Sequence, residues 1–567
     1  MLGSPWLRQA HIGLLLVGLM WVFPFLYYRH QYPLTTFDQE WWSALLGVLA
    51  ATFALLLNPG YWKSQQVPRI VQLPAALIVL IFLQYAMGRI PYFDQALLYV
   101  LYLMFALMLL LLGAYLRECL GLERVAAPLA VFLLLGGLMS AAVGVLQHFH
   151  LHTPLDTVIL NAYAVVYGNL AQPNHFADYI ALGLASLGLL FQLRKIRPTV
   201  VFLLALLLLF VMTLSGSRSS WLYLVAMIVL SWKNRIALNY CLGLLAGFFM
   251  MHLVVKLPFL AGSISTWQRF SGEDGSGGIR LYLWHEAWLI FSRFPIFGAG
   301  FGQFAWQHFL LGPQLHRTLI TGLYDNAHNL IFQMAAETGI AGLAILLLSL
   351  VVWWRGMRRI ETSPARWWAY AVLAVLCVHS LLEYPLWYGY FLAIAAVLLG
   401  LLDESKYRVR VAPFVLMAVV AGMFALYQLK AGYQEIRDAL ASKAGHERDM
   451  LVSMRGRSIL APLAHFYATP YVEVNSDHLD EKLAFNGKVV RFMPVAEPAY
   501  LESYLLAEDG KTEEAKRMFA EAYWSYPDSE EKKQLVELAD KDPAHFASLL
   551  KFAHQTEQEY ASAIHNN

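Results

Sequence analysis

The amino-acid sequence predicts an all-α protein that crosses a membrane many times, with about 13 transmembrane helices. Of the 567 residues, 59% are hydrophobic, and they recur in runs long enough to span a bilayer, which takes about 20 residues. The loops between these runs are alternately rich and poor in Lys and Arg. Only about 140 residues at the C-terminus have the composition of a soluble domain. We therefore expect a membrane domain at 1–429 followed by a small α-helical domain at 430–567.

The apolar runs define the individual spans. The first run is followed by no small-residue cleavage site, so we interpret it as a permanent anchor. A long polar segment, residues 256–329, separates the ninth span from the tenth. The predicted spans are 12–28, 41–57, 70–87, 96–116, 126–146, 174–191, 199–214, 219–232, 236–255, 330–352, 367–382, 386–402 and 411–429.

The basic residues of the loops predict the orientation. Segments assigned to the cytoplasm carry 17 Lys or Arg residues, whereas the short loops on the other side carry only Arg29, Arg89 and Arg218. Cytoplasmic loops of membrane proteins are enriched in these residues. The bias indicates a bacterial inner membrane, with the N-terminus in the cytoplasm and residues 256–329 and the C-terminal domain in the periplasm.

Composition argues against several classes of partner and cofactor. The net charge is only +2 and no nucleic-acid-binding motif occurs, so nucleic acid is not an expected partner. Cys119, Cys241 and Cys377 lie in or beside apolar runs, as small core residues do. No His/Cys/Asp cluster has the spacing of metal ligands, so the sequence supports neither a metal nor another cofactor.

Unusual polar residues collect on the predicted periplasmic side. ATP and nucleotide sugars are absent there, so an energy-rich substrate has to arrive already activated, carried on a lipid. Arg218 stands in the short turn "SGSRSSW" among four serines. It is either an interfacial anchor or a phosphate ligand, since the planar guanidinium suits a phosphate.

A second candidate cation follows the glycine-rich run in "GEDGSGGIRLYLWHEAW". Arg280 is expected in the first turn of an amphipathic helix whose apolar face contains Leu283, Ala287 and Ile290. Arg269 lies nearby, and either arginine is simply solvated or binds phosphate. Two arginines on one anion would form a clamp that stabilises a departing diphosphate without a metal.

The segment "LYDNAHNLIFQMAAETGIAG" has ionisable groups at the start of a span and inside it. Burying such groups in lipid costs free energy, so by default they mark a functional site. Asp325 and Asn326 are expected to cap the helix, which puts His328 in its first turn. An imidazole there can accept a proton from a hydroxyl, or bond a nearby carbonyl. Glu337 is expected on the opposite face, as a buried acid at a close contact between helices.

Two further polar groups mark span ends. His379 and Glu383 are spaced i, i+4 in "CVHSLLEYPLWYGY" and share a face if that segment is helical. They either bond each other and lock a helical hairpin or support a periplasmic site. In "YGNLAQPNHFADYIALG", Gln172, Asn174 and His175 either contact sugar or phosphate or cap the helix that follows Pro173.

These motifs together carry a resemblance. "AQPNHFADYIALG", "GSRSSW", "GGIRLYLWHEAW", "FPIFGAGFGQF", "NAHNLIFQMAAETGIAG" and "HSLLEYPLWYGYF" resemble, in this order, the bacterial superfamily of O-antigen ligases, Wzy-type polymerases and O-linked protein oligosaccharyltransferases. The last string and the long tail are most similar to the PglL-type oligosaccharyltransferases. The similarity runs from about Gln172 to Leu402.

The resemblance implies a helical membrane core of the glycosyltransferase C type. It also implies transfer of a whole glycan from undecaprenyl pyrophosphate to a hydroxyl acceptor. The essential histidine of the family matches His328, and its pyrophosphate-binding arginines match Arg218 and Arg280. Gln172, Asn174, Arg269, His379 and Glu383 complete the expected substrate site.

The C-terminal segment "GKTEEAKRMFAEAYWSYP" fits the second half of a tetratricopeptide (TPR) unit. Ala515, Phe519, Ala522 and Pro527 follow that pattern, with Gly510 at the preceding turn. Such a domain either presents a protein acceptor or caps the membrane domain. It contains no candidate catalytic residue, so we expect its removal to leave the membrane site assembled.

The sequence thus favours an inverting glycosyltransferase that modifies a Ser or Thr of a periplasmic protein, such as a pilin. One alternative keeps the chemistry but changes the acceptor, as in an O-antigen ligase or a polysaccharide polymerase. Another is a transporter of the lipid-linked sugar. A transporter would show charges deep in several spans and an internal repeat, and we detect no repeat.

Overall fold

A computed structural model describes residues 5–566 with short gaps, and in this part of the chain it is mostly helical, with two short strands. The gaps are residues 65, 155, 160–164, 258–275, 319, 358–362, 442–448, 450, 452 and 455–456. The chain forms two compact units, each assembled from three segments. The first unit is Met1–Ala76, Leu101–Gly277 and Ile345–Leu426, and the second is Leu77–Val100, Gly278–Ala344 and Tyr427–Asn567.

The helices up to the long polar segment 256–329, called the central loop below, follow one another closely. They are α1 (Pro5–Met20), α2 (Phe23–Leu26), α3 (Phe37–Ala51), α4 (Pro59–Lys63), α5 (Gln72–Ala86), α6 (Phe93–Leu120), α7 (Leu122–His148), α8 (Pro173–Gln192), α9 (Pro198–Leu214), α10 (Ser219–Ser231) and α11 (Arg235–Val254). A π-helical turn, Thr52–Leu56, continues α3.

The central loop contains two of the remaining helices, and ten more follow it. They are α12 (Ser276–Arg293), α13 (Phe304–Leu311), α14 (Leu330–Met357), α15 (Pro364–Ser380), α16 (Gly389–Leu402), α17 (Ala412–Ala441), α18 (Ala461–Ala468), α19 (Leu479–Phe492), α20 (Ala496–Glu508), α21 (Thr512–Ser525), α22 (Gln534–Lys541) and α23 (Pro543–Asn566). Two short strands, β1 (Gln66–Pro68) and β2 (Lys406–Arg408), pair antiparallel in the first unit.

Among the described residues, eight helical stretches are long and apolar enough to cross a membrane, and α9, α10 and α16 are shorter apolar helices. Each of the predicted spans falls on a helix, with α8 and α15 accounting for the two spans rich in polar side chains. A multi-pass, all-α membrane protein is therefore confirmed. The number of 13 crossings stays a prediction.

Close helix contacts at small residues hold the first unit together. Helix α7 packs on α8 where Gly137 faces Gly183, and a Cβ added to Gly137 would lie 3.4 Å from the Cα of Gly183. Tyr179 lies nearby on α8, donates a hydrogen bond to the carbonyl of Trp21 at 2.8 Å, and stacks on Phe25. Lipid gives helices no hydrophobic reason to associate, so such van der Waals contacts and hydrogen bonds provide the attraction.

The second unit contains a separate apolar core built on α20, α21 and α23. Ala515, Phe519 and Ala522 are buried, and Gly510 adopts a φ of +72° at the turn between α20 and α21, as the repeat pattern requires. Phe309 of α13 belongs to the same core. The assignment of this helix pair to the TPR family stays a prediction.

Candidate functional site

His328 lies just before α14 and not in its first turn. The side chain of Asn329 accepts hydrogen bonds from the backbone N–H groups of Ile331 at 2.9 Å and Phe332 at 3.2 Å, so Asn329 is the N-cap. The prediction that Asp325 and Asn326 cap this helix is wrong. Either residue is a good cap by type, but the chain still turns after them before the helix begins.

The backbone of His328 is held in an unusual conformation. Its φ is +51°, a left-handed value that costs a non-glycine residue about 1 kcal/mol or more. The turn is fixed from within α14, because the Gln333 side chain accepts the N–H of Ala327 at 2.7 Å. Asp325 is exposed and close enough to interact electrostatically with His328. Strained residues held in this way are concentrated at functional sites.

Helix α14 is interrupted at Gly339, whose φ and ψ are +62° and −158°. The turn 295–300 docks at this break through four backbone hydrogen bonds of 2.8 to 3.1 Å. They join Ala299 N–H to Ala336 C=O, Gly300 N–H to Glu337 C=O, Ile340 N–H to Pro295 C=O and Ala341 N–H to Ile296 C=O. A helix break at membrane depth is tolerated only where protein satisfies the freed backbone groups, and this turn does so.

Glu337 fastens the same junction with its side chain. The carboxylate is buried and accepts the N–H of Phe304 at 3.2 Å. Gln84, which is also buried, donates to the carbonyls of Glu337 and Phe297 and accepts the N–H of Phe301. The structure thus supports the predicted structural role of Glu337, whose carboxylate bonds the first N–H of the short helix α13.

Arg280 lies in the second turn of α12 and is half-buried. The predicted apolar face of this helix is confirmed, since Leu283, Ala287 and Ile290 are all buried. Trp284, one turn after Arg280, stacks on Phe332 of α14 with ring centroids 5.3 Å apart. This contact packs the helix that carries Arg280 against the start of the helix that follows His328.

A buried charged cluster in the central loop was not predicted. Glu286 accepts hydrogen bonds from Nδ1–H of His308 at 2.6 Å and from Arg317 at 2.9 Å, and all three side chains are at least 98% buried. Burial lowers the pKa of the His308 imidazole, which keeps it neutral and leaves one balanced ion pair. One hint was visible in the sequence, since Glu286 falls on the apolar face of α12.

The polar groups of the first unit are paired differently from the prediction. Helix α15 ends at Ser380, so Glu383 lies beyond it, where its backbone N–H donates to the His379 carbonyl at 2.8 Å. Nδ1 of His379 instead contacts the carboxylate of Asp178 on α8 at 2.8 Å, and both side chains are fully buried. Asp178 was visible in the motif of α8, but only the packing of α8 against α15 shows its partner.

Glu383 accepts a hydrogen bond from Asn174 at 2.8 Å, and Asn174 in turn accepts one from Ser217 at 2.8 Å. Gln172 is the N-cap of α8, where its side chain accepts the N–H of His175 at 2.5 Å. Gln172 thus caps the helix, and its contact with the donor stays a prediction. These bonds tie together the ends of α8, α9 and α15.

Arg218 is half-buried and occupies the N-cap position of α10. The four serines around it are buried, as the crowded turn suggested. The Ser215 hydroxyl bonds to the carbonyl of Met212 and accepts the N–H of Ser217. Arg218 belongs to the first unit, and Arg280 and His328 belong to the second. Arg269 falls outside the described residues.

Within the described ranges, one group of side chains has the geometry of potential metal ligands. Ligand atoms of Glu508, Asp542 and His545 lie within 4.8 Å of one another at the surface of the C-terminal domain. Asp542 also caps α23 and accepts a hydrogen bond from His545 at 2.6 Å. Exposed groups of this kind commonly occur without a metal, and capping already accounts for the position of Asp542.

The C-terminal domain is not separable from the central loop. Phe309 lies in the apolar core of that domain, Arg317 donates to the Ser525 hydroxyl at 3.2 Å, and Gly322 donates its N–H to the Ser525 carbonyl at 2.8 Å. Removing the chain from about residue 440 would uncover Phe309 and delete Ser525. The expectation that the site stays assembled without this domain does not fit the packing.

Comparison with known proteins agrees with this arrangement of helices and polar residues. Residues 202–347 match a family described as O-Antigen ligase, residues 166–191 match Protein glycosylation ligase, and residues 367–539 match Virulence factor membrane-bound polymerase, C-terminal. These three ranges contain every candidate site residue. Over these ranges the chain is similar to membrane proteins of the O-antigen ligase superfamily.

Within that superfamily, the chain is similar to O-oligosaccharyltransferases of the PglL type. It is 26% identical to a General O-oligosaccharyltransferase of Acinetobacter baylyi, over 69% of both chains. It is 22% identical to a ComP-specific O-oligosaccharyltransferase of the same organism, over 65% of this chain and 67% of the other. These similarities support a glycosyltransferase.

Proposed function

We propose that this protein is an O-linked protein oligosaccharyltransferase of the bacterial inner membrane. It moves a glycan en bloc from undecaprenyl pyrophosphate to a Ser or Thr hydroxyl of a periplasmic protein such as a pilin. The observation that carries the proposal is the left-handed backbone of His328, in a turn that Asn329 and Gln333 hold. The similarity of the chain to O-oligosaccharyltransferases supports the same conclusion.

His328 acts as the general base. Its imidazole takes the proton of the acceptor hydroxyl while that oxygen forms a bond to the anomeric carbon of the donor sugar. The bond between this carbon and the phosphate oxygen breaks, and the electron pair leaves with the lipid diphosphate. A single displacement inverts the anomeric centre, because no carboxylate is assigned as a nucleophile.

Arginine side chains stabilise the charge on the leaving diphosphate. Arg280 is the first candidate, because the contact between Trp284 and Phe332 packs its helix beside the His328 turn. Arg218 and Arg269 are proposed partners on the strength of the sequence.

The first unit supplies the remaining proposed substrate residues. Asn174 and Glu383 form one hydrogen-bonded pair, Gln172 caps the same helix, and His379 pairs with Asp178. We assign to Gln172, Asn174, His379 and Glu383 the binding of polar groups of the donor.

A second candidate function changes only the acceptor. The matches to O-Antigen ligase and to a membrane-bound polymerase favour transfer to a lipid A core or to a growing polysaccharide. Glycan found on periplasmic proteins supports the first proposal. Glycan found only on lipid A core or in longer polymer supports the second.

The test is a His328→Ala variant in cells that make the lipid-linked glycan, with mass spectrometry of the periplasmic proteins. His285→Ala is the matched control, because His285 is an exposed histidine of the same loop. We expect loss of glycosylated protein only in His328→Ala, with equal membrane levels of both variants. Normal glycosylation in His328→Ala would remove this residue from the mechanism.

A further inference from the structure

The buried cluster around Glu286 lies where three parts of the second unit meet. Glu286 comes from α12, which also carries Arg280, while His308 comes from α13. Arg317 lies in the segment that leads to His328. Ser525, the last residue of α21, comes from the C-terminal domain. The cluster therefore joins the helix of the candidate phosphate ligand, the segment of the candidate base and the C-terminal domain.

Arg317 makes most of these connections. Its Nη1 donates to Glu286 at 2.9 Å and to the carbonyl of His308 at 3.1 Å, and its Nη2 donates to the hydroxyl of Ser525 at 3.2 Å. The side chain is 1% exposed. Gly312 leaves room for it, because a Cβ there would lie 3.3 Å from Nη2 and 3.4 Å from Cβ of Trp524.

A second connection runs from the same point toward His328. The backbone N–H of Gly322 donates to the carbonyl of Ser525 at 2.8 Å, and the backbone of Gly322 also interacts with the His308 ring. Only four residues lie between Gly322 and Ala327, whose N–H bonds the Gln333 side chain. The segment that carries His328 is thus fixed at one end by α14 and at the other by Ser525.

We propose that Arg317 is a positioning residue for His328, and that it acts by holding Ser525 and the central loop in one register. This rests on the proposed function of His328. A planar guanidinium can bond Glu286 and Ser525 from two different nitrogens, which an ammonium group cannot reproduce. A displacement of about 1 Å at a reacting group can lower a rate about 100-fold.

The test uses two substitutions and one control in the full-length protein. Arg317→Lys keeps a positive charge beside Glu286 but cannot span both partners, and Ser525→Ala removes only the hydroxyl. Ser503→Ala is the matched control, because Ser503 is a buried serine of the same domain whose hydroxyl bonds Ala515 and not the central loop.

We expect kcat of transfer to fall about 10- to 100-fold in Arg317→Lys and several-fold in Ser525→Ala, with donor KM unchanged. The kcat of the double variant should fall no further than that of Arg317→Lys alone, because both changes break the same contact between Arg317 and Ser525. Ser503→Ala should keep its kcat. Equal losses in Ser503→Ala and Ser525→Ala would mean that domain stability alone matters, and would overturn the proposal.

Hydrogen exchange of the amides at 320–329 supplies a readout that does not depend on transfer. Both Arg317→Lys and Ser525→Ala should speed exchange there, and Ser503→Ala should not. Unchanged exchange in the two variants overturns the positioning role, even if the wild-type protein transfers glycan. If exchange is faster in the two variants but the wild-type protein transfers no glycan, the contact of Arg317 with Ser525 holds the segment as proposed, and the proposed function is refuted instead.

Discussion

Gly298→Ala tests whether the break in α14 depends on the docked turn. Gly298 has a φ of +68°, and a Cβ added there would lie 2.1 Å from the carbonyl carbon of Glu337. Backbone cannot yield as a side-chain tip can, so the turn has to move away from α14. The four backbone hydrogen bonds at Gly339 then weaken, at about 1 kcal/mol each. With about 1 kcal/mol for the left-handed alanine, the loss approaches about 5 kcal/mol.

Gly510→Ala is the matched control for this substitution. Its φ is +72°, but a Cβ there would meet nothing within 4 Å, so only the conformational cost of about 1 kcal/mol applies. We would compare the membrane level, the unfolding temperature in detergent and the glycan transfer of the two variants. Gly298→Ala should lower all three quantities much more than Gly510→Ala. If both variants lose the same small amount of stability, the turn does not support the helix break.

Two further predictions concern the central loop. Arg280→Lys should lower transfer more than tenfold at unchanged protein level, since a lost hydrogen bond to a charged group is worth roughly 1.5–3 kcal/mol. Arg293→Lys, at the exposed end of the same helix, should keep its activity. Equal activity of the two variants would mean that other residues bind the diphosphate. Because burial lowers the pKa of His308, the unfolded chain binds the extra proton first, so stability should fall as the pH drops below about 6.5, by at most about 1.4 kcal/mol per pH unit. His308→Gln should flatten this part of the pH profile of the unfolding temperature relative to His285→Gln, and identical profiles would contradict it.

The sequence by itself predicted the class of protein and the position of its helices. Apolar runs and the periodic face of α12 depend on residues that are neighbours along the chain, and Leu283, Ala287 and Ile290 are buried as their spacing indicated. The motif order also predicted the superfamily, because its signature segments are short and contiguous.

Tertiary structure decided which polar groups are paired. Local spacing joined His379 to Glu383, but α15 ends between them, and Asp178 on another helix contacts His379 instead. The ion pair of Glu286 joins residues 31 positions apart, and the contact of Arg317 with Ser525 spans 208. A buried charge needs a partner, but the need does not specify where along the chain that partner lies. Only the packing of the helices brings such distant groups within hydrogen-bonding distance.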